Sequence, residues 1–232
     1  MEDQQVRRAK QEIVKNAIQA GNLSLLNFLK IDNKEAQCCF LFSVEANNVL
    51  ITQHLLQNFE VKIDDYAIIA AVEQNNLEMV KLLCSHGCVT TAYDNGALRL
   101  AIKRNRVEIV TYLKGLGINF NNIKYAIQNT TLDVIRLLFD DTQILDPAAL
   151  RVACENNKLD VLKYLITFHE LGIEDTLFHA ASNNKLDIVK FVIGIDKTYV
   201  DEAFIIAIQK GYVEISELLK PFASAESKDV IL

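Results

Sequence analysis

The chain has 232 residues, half of them hydrophobic, a formal charge of −6 and five cysteines. That much apolar material supports a sizeable core, so disorder over most of the length is not expected. The acidic balance speaks against a surface built to neutralise phosphates, so no nucleic-acid partner is expected. The odd number of scattered cysteines (Cys38, Cys39, Cys84, Cys88, Cys154) suits buried free thiols in a reducing, cytoplasmic setting better than a disulfide framework.

The opening MEDQQVRRAKQE is charged and lacks the apolar core of a secretory leader. The longest aliphatic run, Ala67 to Val72, falls far short of the roughly 20 residues of a membrane span, so no membrane association is expected.

From Ala17 onward one 13-residue frame recurs eight times: AIQAGNLSLLNFL (Ala17), SVEANNVLITQHL (Ser43), AVEQNNLEMVKLL (Ala71), AIKRNRVEIVTYL (Ala101), AIQNTTLDVIRLL (Ala126), ACENNKLDVLKYL (Ala153), AASNNKLDIVKFV (Ala180) and AIQKGYVEISELL (Ala207). The starts lie 26, 28, 30, 25, 27, 27 and 27 residues apart. The first column is alanine seven times and serine once, the small side chain that closely approaching helices require. The fifth is Asn or Gly in seven copies (Gly21, Asn47, Asn75, Asn105, Asn157, Asn184, Gly211) and Thr130 in the other. Asn and Gly tolerate the left-handed backbone that ends a helix.

The seventh, ninth and thirteenth columns are apolar throughout, which predicts a broad buried face on a second helix, with Leu159 among its core residues. An acidic residue occupies the eighth column in six copies (Glu78, Glu108, Asp133, Asp160, Asp187, Glu214), where it favours the positive end of that helix. Each unit therefore reads as helix, tight turn, helix. A hairpin this small cannot bury its own apolar face, so its neighbours must.

The frames resemble the ankyrin repeat, whose second half reads as two alanines, two variable residues, Gly, a helix start, then Leu, acid, Ile, Val and two leucines. AVEQNNLEMVKLLCSHGCV (71–89) and AASNNKLDIVKFVIG (180–194) are most similar, and the resemblance runs over about residues 16 to 220. The spacing is shorter than that family's roughly 33 residues. Its Thr-Pro-Leu-His start is absent, Thr176-Leu177-Phe178-His179 standing one residue out of register. Shortening leaves room for a projecting β-hairpin finger only between Ala71 and Ala101.

The expected fold is an all-α solenoid of about eight helix-turn-helix repeats, one domain over residues 1–222, with 223–232 a flexible tail. Charged positions on the first helix (Arg7, Arg8, Lys10, Glu12) and polar Ser216 and Glu217 on the last supply the wet outer faces that terminal repeats need.

Catalytic and metal chemistry find little support. Cys84, His86 and Cys88 fall within five residues, but the family frame makes Cys84 a core position and Cys88 a small packed one, and a fourth ligand would have to come from afar. The four histidines lie in separate repeats, and no sequence feature sets one beside a cysteine with an orienting group. No catalytic residue, metal or cofactor is assigned. An enzyme with a thiol nucleophile, or a secreted effector with catalytic activity, is the alternative.

The variable third and fourth columns, among them Glu73, Gln74, Gln128 and Asn129, are placed by the resemblance along the groove where ankyrin-repeat proteins take partners. Arg99, Lys103, Arg104 and Arg106 set four cations in eight residues without a carboxylate, a candidate anchor for an acidic peptide or protein face, with Tyr93 in the longest loop as an aromatic contact. The function read from the sequence is a non-enzymatic scaffold or adaptor, monomeric, binding a protein partner in the cytoplasm, including as an effector delivered into a host cell.

Overall fold

The computed structural model describes residues 2–87, 95–139, 145–146, 148–168, 173 and 175–229, and contains no strand among them. It forms two compact units, Met1–Asn119 and Phe120–Leu232. In the first unit the frames become α1 (Glu2–Gln19) and α2 (Leu23–Phe28), α3 (Asn33–Glu45) and α4 (Val49–Asn58), α5 (Asp65–Glu73) and α6 (Leu77–Ser85), α7 (Gly96–Lys103) and α8 (Val107–Gly115). In the second they become α9 (Ile123–Asn129) and α10 (Leu132–Leu138), α11 (Ala148–Glu155) and α12 (Leu159–Phe168), α13 (Thr176–Ser182) and α14 (Leu186–Ile193), α15 (Val200–Gln209) and α16 (Val213–Leu219), followed by α17 (Ala225–Asp229).

Within the first unit α1, α3, α5 and α7 lie each against the next, and α4, α6 and α8 do the same beside them. Within the second, α9, α11, α13 and α15 stack likewise. The interval that had room for a finger falls mostly on residues 88–94, outside the described residues.

The turn between paired helices is a Schellman motif wherever the fifth column is Asn or Gly. Asn47, Asn75, Asn105, Asn157 and Asn184 have φ between 54° and 58°, and Gly21 and Gly211 have 66° and 71°. The next N–H reaches back to the first-column carbonyl, as from Lys158 to Ala153 at 2.9 Å, closing the helix end. Thr130 is extended instead (φ −141°), because a β-branched residue resists the left-handed region.

The first column is buried in all eight frames, and the acidic eighth column falls in the first turn of the second helix in six. From the second frame onward the ninth and thirteenth columns are buried, but the seventh is not. Leu159 is half-exposed, and Val213 is 63 % exposed. This corrects the expected core. The seventh column opens the second helix, and side chains there lean back over the turn instead of between helices. The tenth column fills the place, as Val80, Val110, Ile135 and Leu162 show by being fully buried.

The segment after Pro221, expected as a flexible tail, contains α17, which lies against α15. Asp201 accepts the Ser224 N–H at 2.7 Å, the Ser224 hydroxyl accepts that of Ser227 at 3.2 Å, and Ala223 and Ser227 are buried. These capping bonds satisfy a helix start that apolar content alone does not reveal.

Candidate partner-binding surface

Residues ending one first helix are tied to residues of the next frame. Asn48 caps its own helix by accepting the Ile51 N–H at 3.1 Å while its amide donates to the Ile18 carbonyl at 2.9 Å. Gln74 donates to the Glu45 carbonyl at 2.9 Å, and Arg106 to the Glu73 carbonyl at 3.2 Å. In the second unit Lys158 donates to the Thr130 carbonyl, and Lys210 to that of Ser182 at 2.7 Å. Carbonyls at a helix C-terminus lack the next turn's N–H, so such donors help satisfy them and join two frames, the Ile18 carbonyl accepting the Gly21 N–H as well.

This changes the reading of the basic cluster. Arg106 turns back onto the end of α5, its Nη2 on the Glu73 carbonyl, and its Nε is buried without a hydrogen-bond partner. Arg104 Nη2 stands 3.4 Å from the Glu73 carboxylate, an exposed pair that contributes little to stability. Arg99 is half-buried, and Lys103 is exposed on the last turn of α7. Glu73 and Gln74 are engaged with neighbouring frames as described. Gln128 is exposed and Asn129 donates to the Tyr125 carbonyl of its own helix at 2.8 Å, both in the second unit. Tyr93 lies outside the described residues.

Two aromatics that the column reading passed over stand exposed on adjacent first helices: Phe42 on α3 (39 %) and Tyr66 on α5 (52 %). Lys15 Nζ lies 5.7 Å from the Phe42 ring centroid, and the Tyr66 hydroxyl donates to Glu45 at 2.7 Å. That bond and the negative field of Glu45 push the Tyr66 phenol up. Between α1 and α3 runs a groove of about 450 Å³ floored by Val14, Cys39 and Phe42 and flanked by Lys10, Lys15 and Glu35. The signal was available in principle: Phe42 stands one residue before the first column, a place held by Ala70 and Val152 in other frames, and Tyr66 stands five before it, where no other frame carries an aromatic residue.

Burial favours the protonated form of three thiols. Burial pushes Cys39 up to about 11 and Cys154 up to about 12, and it raises Cys84, which is hydrogen-bonded with Tyr112. Among the described residues no three His, Cys, Asp or Glu side chains come together as a metal site, and no helix is long and apolar enough to cross a membrane. Cys88, the third member of the Cys84–His86 group, lies outside the described residues.

Against this geometry, a family model described as ankyrin repeats matches the chain in three copies, over residues 14–124, 123–201 and 150–229. Comparison with curated proteins finds no match.

Proposed function

The chain belongs to the ankyrin-repeat family, whose repeats are protein–protein interaction modules, and from that premise we propose that it is a non-enzymatic scaffold presenting the first-helix face to a protein with an acidic surface or peptide. In this reading the eight helix pairs are eight short repeats of one solenoid over residues 1–222, working in the cytoplasm of its own cell or of a host into which it is delivered.

The observation that carries the reading is the row of exposed Phe42, Tyr66 and Lys103 on α3, α5 and α7, helices fixed by the carbonyl bonds between frames. Aromatic anchors on a rigid support lose little conformational entropy when a partner docks. Arg104, which already faces one carboxylate, exchanges Glu73 for a partner's carboxylate at small cost, because both groups are exposed. Arg99 and Gln74 complete the proposed surface in the first unit, Gln128 and Asn129 are candidate contacts of the second unit by itself, and Arg106 acts by holding α7 to α5. The raised pKa values of Cys39 and Cys154 argue against either as a nucleophile, which must be a thiolate.

Affinity capture from candidate lysates, with the wild-type chain and with Lys103→Glu/Arg104→Glu, tests this. An acidic partner recovered by the first and lost by the second is expected. Equal recovery by both overturns the basic anchor, and a partner insensitive also to Tyr66→Ala overturns the whole face.

A further inference from the structure

The first two frames differ from the others in the length of their first helices. α1 has 18 residues and α3 has 13, where α5 has 9, α7 has 8 and α15 has 10. The groove of about 450 Å³ lies between these two long helices, so this chain supplies both of its walls. Bonds near either end fix their spacing. Lys10 on α1 donates to both carboxylate oxygens of Glu35, in the first turn of α3, at 2.8 Å, and the Asn48 amide donates to the Ile18 carbonyl at 2.9 Å.

The lining separates into an apolar floor and a charged rim. Val14 and Cys39 are buried beneath the groove, and the Phe42 ring stands beside them. On the rim Lys10 and Glu35 neutralise each other, which leaves Lys15 and Lys34 against Glu12. Neither Lys15 nor Lys34 has a carboxylate partner among the described residues. Lys15 lies over the Phe42 ring at 5.7 Å, and past these two side chains a smaller cleft leads on to Glu45, which repels anions. The end of the groove that attracts a negative charge is therefore the one at Lys34.

An apolar floor with one positive end fits an amphiphile with a negative head. From Lys34 to Phe42 the helix rises about 12 Å, the length of an extended chain of about ten carbons. Its volume falls among those of small-ligand pockets. A peptide backbone fits this floor less well, because it would lay N–H and C=O groups over side chains that offer them no hydrogen bond.

We propose that the groove between α1 and α3 binds a free aliphatic monocarboxylate of medium chain length, with its carboxylate at Lys34 and its chain over Val14, Cys39 and Phe42. This goes beyond partner capture, whose basic anchor at Lys103 and Arg104 belongs to α7.

Calorimetric titration of the full chain with hexanoate, octanoate, decanoate and dodecanoate, each below its micelle concentration, tests it. Affinity should rise about two- to fourfold per added methylene, stop rising near decanoate, and correspond to one acid per chain. Lys34→Gln should weaken decanoate binding about three- to fivefold, while Lys34→Arg keeps it. Lys220→Gln, at an exposed site of the second unit, should leave it unchanged. Decanoate should also slow thiol labelling of Cys38, which lines the groove and is exposed. No binding by any acid, affinity that climbs without limit in chain length, more than one acid per chain, or decanoate binding that ignores Lys34→Gln or leaves Cys38 labelling unchanged overturns the proposal.

Discussion

Arg106 donates to the main-chain carbonyl of Glu73, 33 residues earlier and 3.2 Å away, so a cation that reads as part of a binding patch also closes a helix end. The two roles separate by experiment. Arg106→Met should cost about 1–2 kcal/mol, the value of a hydrogen bond from a charged donor to a carbonyl left unpaired. Lys103→Ala should stay within about 0.5 kcal/mol. Urea unfolding of both variants measures the difference, and equal effects would remove the structural role of Arg106.

The core and its rim make a second contrast. Leu162 is fully buried, and Leu162→Ala should destabilise by about 2–5 kcal/mol, as truncated buried leucines do. Leu159, half-exposed at the start of α12, should lose only about 1 kcal/mol on the same change. Chemical denaturation decides between this order and the reverse.

Turn chemistry can be read at one atom. Asn157 sits at φ 55°, so Asn157→Ala should cost about 1 kcal/mol while Asn157→Gly is tolerated. Thr130→Gly should bring no comparable relief, since Thr130 is extended and only backbone freedom would be gained. Thermal midpoints of the three variants provide the comparison.

Cys154 has a pKa pushed up to about 12 by burial, and its thiol donates to the Thr176 carbonyl. The unfolded thiol ionises near its ordinary value of 9.0, so above that pH the folded state holds a proton that the unfolded state releases. Its stabilisation is full below that pH and falls as pH rises toward about 12. The slope of stability between these limits should flatten in Cys154→Ala. At neutral pH a thiol reagent should label exposed Cys38 well before Cys39 or Cys154, and rapid labelling of Cys154 would contradict its burial.

Much of the fold was legible because its rules are local. A small first-column residue, a left-handed residue four positions on and a carboxylate in the next turn act within about a dozen residues, and Ala101, Asn105 and Glu108 stand where that grammar puts them. The exceptions were legible too late: Thr130 marks the frame whose turn differs, and Leu159 shows that an apolar column is not by itself a buried one. Of the candidate site, the basic cluster was visible as composition, but Phe42 and Tyr66 were hidden among other apolar positions.

By itself the sequence determined the hairpin, the turn that closes it and the need for neighbours, since each follows from side chains a few bonds apart competing for the same helix end. Stacking decided what the variable residues do: whether Gln74 and Arg106 face a partner or the preceding helix, and whether Phe28 finds cover. Those outcomes depend on groups 25 to 33 residues apart in Tyr164–Phe139, Gln74–Glu45 and Arg106–Glu73, which come within reach only when one hairpin lies on the next.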